Sequence, residues 1–218
     1  MSLAILFMDE LNGFYRSKVM LFLWAGLPVL AVFLYLMSPD TGSVPFSSFT
    51  AILVGSIGGV ISAAMLAVGI INERERHVYD LFVIRPVKRR NIMLAKFLAV
   101  YVCIMIAGSI ALLLGFGIDY LNSDLPLDEV VSLSLPGFII IVAMMAISCS
   151  AGVLIGVFSP SVLVGVILVM YGANQLSAIV ILPVLTASTD DYFPLLPGVA
   201  VTAALLFLAV LIFEKKQL

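Results

Sequence analysis

From Val130 to Thr189 the chain carries no charged residue at all. A soluble domain averages roughly 25% charged side chains, because its surface must face water. This 218-residue chain has 11% charged and 63% hydrophobic residues, a balance that a water-facing surface does not tolerate. It therefore reads as a polytopic, all-α membrane protein. The net charge of −2 says little, because charge is segregated along the chain rather than spread over a surface.

A helix that crosses the hydrocarbon core needs about 20 apolar residues. Residues 19–37, 49–71 and 97–118 meet that length. Pro136-Gly137 opens the uncharged stretch and Ser159-Pro160-Ser161 interrupts it, giving spans at about 137–157 and 162–182. A last run covers 195–213, so six transmembrane helices are expected in one domain over 1–218. The first run follows the mixed-charge stretch Asp9 to Lys18 and is expected to remain as a span rather than act as a cleaved signal.

Basic residues favour the cytoplasmic side of a membrane. Arg16 and Lys18 precede the first span, seven of the eleven basic residues lie in 72–96, and Lys215 and Lys216 follow the last span. Six spans put all of them on one side. The opposite connections carry only acids: Asp40, Asp119, Asp124, Asp128, Glu129, Asp190 and Asp191. Both termini and segment 72–96 are thus expected in the cytoplasm, with Tyr35, Tyr120, Tyr192 and Phe193 near the outer interface. Before the first span, Leu3, Phe7, Leu11 and Phe14 share one helical face, with Asp9, Asn12 and Arg16 away from it. That pattern predicts an amphipathic N-terminal helix in the cytoplasmic interface.

Within the spans, Gly55, Gly59, Ala63 and Ala67 recur every four residues, and Ser148, Gly152 and Gly156 repeat the spacing. Small residues at this interval let two helices approach closely. Packing within one subunit is the simpler reading, and contact with a second subunit is the alternative. Cys103 and Cys149 fall in apolar runs and are expected to be small buried groups. Tyr171, Asn174 and Gln175 are costly in lipid unless bonded, so they either bond a neighbouring helix or line a translocation path. With Pro183, Pro194 and Pro197 close behind, region 176–197 admits a re-entrant turn as well as a span end. No charge lies within a span, which disfavours coupling to ions through buried carboxylates.

Segment 72–96 reads NERERHVYDLFVIRPVKRRNIMLAK and holds the only histidine. Its first part alternates in sign, and Val78, Leu81 and Phe82 give it a small apolar edge. Pro86 ends a helix there, since proline lacks the donor and disfavours α geometry at Arg85. A second helix then starts between Val87 and Lys96 and feeds the third span, making a hairpin at the membrane surface. Lys88, Arg89 and Arg90 suit anchoring to anionic head groups, at about 1 kcal/mol each. Glu73, Glu75 and Asp80 would weaken such an anchor, so protein docking accounts for them better.

In these residues the segment resembles the signature of type-2 ATP-binding-cassette (ABC) exporter permeases. Glu73-Arg74-Glu75, Asp80-Leu81, Pro86-Val87, Arg89, Ile92 and Lys96 follow the family pattern. His77 and Val78 replace its usual Gly-Thr, and Ala95 replaces the glycine before the lysine. The resemblance implies a coupling helix that docks on a separate ABC ATPase subunit through Glu73, Arg74, Glu75, Asp80 and Pro86. Arg89, Arg90 and Lys96 would hold the hairpin at the head groups of the membrane lipid. It further implies a second permease subunit, in a homodimer or heterodimer, with substrate exported between the two across the plasma membrane. The chain has no G-x-x-x-x-G-K-[ST] loop and cannot bind ATP by that route, so the resemblance implies that ATP and Mg bind the partner, with no cofactor expected on this subunit.

No nucleic-acid partner is expected. An intramembrane enzyme fits poorly: there is no G-x-S-x-G elbow and no H-E-x-x-H site, and one histidine makes an all-protein zinc site improbable. A non-transporting membrane anchor that recruits a soluble partner through 72–96 is the alternative. The orientation has a direct check in cysteine labelling of intact cells. His77→Cys should react only after the membrane is permeabilised, whereas Asp124→Cys should react from outside with an impermeant maleimide.

Overall fold

The computed structural model describes residues 3–37, 46–76, 89–122, 127–178 and 195–215, and these are helical with no strand among them. Seven helices are named in chain order: α1 (Leu3–Tyr15), α2 (Lys18–Leu36), α3 (Phe46–Glu75), α4 (Arg89–Asn122) and α5 (Leu127–Phe158). Then α6 (Val162–Ala178) starts as α-helix over Val162–Leu168 and passes through a π-helical turn, Val169–Ala173. The last is α7 (Leu195–Lys215). By length and composition α2, α3, α4, α5 and α7 can each cross a membrane, and the chain is a multi-pass membrane protein.

The sixth expected span is the exception. At 1.5 Å per residue, the described part of α6 extends about 25 Å, short of a core about 30 Å thick. Residues 179–182 of that expected span, and most of region 176–197, lie outside the described residues.

Three boundaries differ from expectation. Residues 72–75 are the last turn of α3 rather than a separate loop helix. Nothing from Ile71 to Glu75 breaks a helix, and none of these residues is proline or glycine. The third span likewise begins at Arg89, inside the expected hairpin. Pro136 does not open α5 but lies within it, although the apolar part still begins nearby, at Ser134. Proline is tolerated inside a membrane helix where neighbours satisfy the freed backbone groups. The proposed helix end at Pro86 falls outside the described residues.

The most extensive helix pair is α3 with α5. Their two small-residue stripes face each other and advance together: Gly59 meets Ser148, Ala63 meets Gly152, and Ala67 meets Gly156. A Cβ on Gly152 would sit 2.5 Å from the Ala63 carbonyl oxygen and 2.6 Å from its Cα, so backbone meets backbone there. A Cβ on Gly156 would lie 3.0 Å from the Ala67 Cα. Cys149 is buried in the same seam, its sulfur 3.4 Å from the Ser62 hydroxyl, and both cysteines are free.

Polar groups satisfy main-chain atoms across the bundle. The Trp24 indole N–H donates to the Cys103 carbonyl at 3.1 Å, joining α2 to α4. The Tyr101 hydroxyl donates to the Val142 carbonyl at 3.3 Å, joining α4 to α5. At the acidic end, the Asp119 carboxylate of α4 accepts from the backbone N–H groups of Phe46 at 3.0 Å and Ser47 at 2.8 Å. These donors have no partner inside α3, and a negative charge is favourable at a helix N-terminus. Tyr35 and Tyr120 are exposed; Tyr192 and Phe193 lie outside the described residues.

The seam gives a stability test. Gly152→Ala forces a methyl group into the Ala63 backbone and should cost about 1–3 kcal/mol, lowering the unfolding temperature in detergent. Gly69→Ala, on α3 with open space beside it, should leave that temperature unchanged or raise it.

Candidate docking site

At the basic end, the face of α3 that continues its buried stripe decides where each charge points. Ile70 and Ile71 are fully packed, and residues three and four positions on share their face. Glu73 and Arg74 therefore turn inward, half-buried, whereas Asn72, Glu75 and Arg76 are exposed.

Glu73 takes part in a three-residue ion cluster. The Lys96 ammonium, only 3% exposed, donates to a Glu73 carboxylate oxygen and to a Glu10 carboxylate oxygen, each at 2.6 Å. A buried ammonium is costly unless paired and hydrogen-bonded. Two carboxylates meet that need and tie α1, α3 and α4 at one point. Lys96 is thus inside the protein, not at the lipid head groups where the sequence placed it. The reason is its position in α4, between Met93 and Phe97, which are both buried.

The N-terminal helix is seated by the same contact. Leu6 packs with Ile92 and Ala95, with Phe7 beside them, and Leu11 and Phe14 rest on the main core. The expected apolar face is present but extends to Leu6, and it rests on α4 as a packed element. Sequence reasoning alone misses Glu10. Its signal was its spacing, three residues after Phe7 and four after Leu6, which puts a carboxylate on the apolar face.

Arg74 is engaged elsewhere. Its Nη1 donates to the Val157 carbonyl at 3.2 Å, and its Nη2 donates to the Ser159 carbonyl. Val157 lies in the last turn of α5, whose carbonyls lack helical partners and favour a cation. Of the residues predicted to dock, Glu75 is exposed, while Glu73 and Arg74 are held internally. Asp80 and Pro86 lie outside the described residues. Arg89 begins α4, and Arg90 is exposed beside it.

The residues predicted for a path lie together on α6. Tyr171 stands in the π-helical turn with 75% of its surface exposed, and Asn174 and Gln175 follow on the exposed side. The Ser56 hydroxyl donates to the Asn174 side-chain oxygen at 3.0 Å, joining α3 to α6. The predicted packing residues Gly55, Gly59, Ala63 and Ala67 all lie in the α3–α5 seam, with Gly55 against Ile141 and Met144.

A family model described as "ABC-2 family transporter protein" matches residues 33–212. No curated protein matches the chain.

Removing Lys96 should cost more than removing either glutamate, because it leaves two carboxylates facing each other. Lys96→Met should destabilise by about 2 kcal/mol, below the 3–5 kcal/mol of a fully buried pair since both glutamates reach water. Glu10→Gln and Glu73→Gln should each cost less than half as much. Denaturant unfolding of the three variants and of the Glu10→Gln/Glu73→Gln double variant measures the coupling.

Proposed function

The chain belongs to the ABC-2 family of transporter proteins, in which it is a transmembrane permease, and from that membership we propose that it is the permease subunit of an ATP-driven exporter. A separate ABC ATPase subunit supplies ATP and Mg. It docks on segment 72–96, with Glu75, Asp80 and Pro86 as contacts. A second permease subunit, identical or homologous, pairs with this one. Substrate crosses between them along the face of α6 that carries Tyr171, Asn174 and Gln175, and α6 with the residues after it completes the sixth crossing. Both termini then lie on the cytoplasmic side of the plasma membrane, and Arg89 and Arg90 meet the lipid head groups.

The observation that supports docking here is the division of charge in the last turn of α3. Glu73 and Arg74 are consumed by internal bonds, which seats the end of the helix against α1, α4 and α5. Glu75 and Arg76, on the opposite face, remain exposed. A firmly seated helix end with exposed charge of both signs can be pushed by a bound partner without bending first. An exposed pair acting alone would do little for affinity, so the contribution of Glu75 depends on its being covered by the partner.

Co-expression with the partner ATPase and affinity purification through the permease test this. Glu75→Arg should lower the recovered ATPase at least tenfold, equivalent to about 1.4 kcal/mol, while the amount of permease in the membrane is unchanged. Full recovery of the ATPase with Glu75→Arg would reject docking through this residue.

A further inference from the structure

We infer that Arg74 is a positioning residue that links the coupling segment to α6, so that the end of α3 and the first turn of α6 move as one unit. This rests on the reading that an ATPase acts on segment 72–96, and it assigns Arg74 a role inside the permease instead of at the docking surface.

Both arms of the guanidinium are used on the corner between α5 and α6, at the Val157 and Ser159 carbonyls. A planar fork can bridge two carbonyls at once, which a single ammonium point charge does less well. From Ser159 the connection continues by hydrogen bonds. Ser159 is fully buried, and its hydroxyl donates to the Ser161 carbonyl at 3.0 Å. The Ser161 hydroxyl in turn accepts from the Val164 backbone N–H at 3.5 Å and so caps α6. Packing runs alongside. Gly165 of α6 lies so close to Ile71 that an added Cβ would be 2.6 Å from the Ile71 Cδ1. The end of α3, from Ile71 to Arg74, therefore reaches the first turns of α6 through two contiguous routes.

Further along, α6 is joined to α3 a second time, by Ser56 and Asn174. The two attachments flank the π-helical turn Val169–Ala173. Its wider hydrogen-bonding pattern is rare in helices and frequent at functional sites. A shift at the end of α3 relative to its middle therefore falls on this turn, which carries Tyr171. Motion delivered to the coupling segment is handed to the residues proposed to line the path.

Paired spin labels in the permease–ATPase complex, reconstituted in nanodiscs, test the linkage. One pair joins Asn72→Cys, on α3, to Leu121→Cys at the far end of α4; the other joins Leu163→Cys, on α6, to Leu121→Cys. All three native residues are exposed, and both native cysteines are buried. In the otherwise native protein, trapping with ADP and vanadate should shift both distances. With Arg74→Gln or Arg74→Lys the Asn72 pair should still shift, the Leu163 shift should fall by more than half, and ATPase recovery should stay within twofold. An undiminished Leu163 shift in both variants overturns the inference. So does loss of the ATPase from the Arg74→Lys complex, which would assign Arg74 to docking. If neither pair shifts with native Arg74, or no ATPase binds, the docking reading fails and the inference with it.

Discussion

The close approach of α3 and α5 is the contact on which the rest of the arrangement depends. Lipid offers no hydrophobic gain for helices that come together, so association relies on van der Waals fit and interhelical bonds. Gly152 against the Ala63 backbone supplies that fit, and the pairs on either side keep the same register. Because the pairs advance by four residues on both helices, the register continues to the end of the seam. There it delivers Arg74 to the carbonyls that close α5.

Charge at the basic end then does two separate jobs. Residues on the buried face of α3 bind the protein to itself: Glu73 through Lys96 to α1, and Arg74 to the α5–α6 corner. Residues on the outer face stay exposed. A segment one turn long thus belongs to the membrane bundle and to its surface at once. The N-terminal helix joins this arrangement through Glu10, so it is a packed part of the charged end. At the acidic end the Asp119 carboxylate holds the start of α3 against the end of α4.

Much of the plan was legible in the chain. Five apolar runs gave helices able to cross a membrane, and the break at Ser159-Pro160-Ser161 lies where α5 ends and α6 begins. The stripes of small residues were also legible, since four-residue spacing by itself puts Gly55, Gly59, Ala63 and Ala67 on one face. Helix boundaries were less so. Polarity suggests a span end at Ile71, but a helix ends where its backbone bonds end, and Asn72 to Glu75 continue those of α3. Pro136 misleads as a helix start for a related reason, because a proline removes one donor without ending a helix that neighbours support.

The sequence by itself determined the medium and the partition of charge. Too few charged residues exist to face water, and every basic group falls on one set of alternate connections while the other set carries only acids. What a given charge does was decided only in the tertiary structure. Glu73, Arg74 and Glu75 are consecutive and look alike as a motif, yet a rotation of 100° per residue sends them to different neighbours. Lys96 resembles any basic residue beside a membrane until α1 and α3 bring Glu10 and Glu73 to it. Those partners are 86 and 23 residues away along the chain. Pairing at that range depends on how helices pack, and no local pattern of residues encodes it.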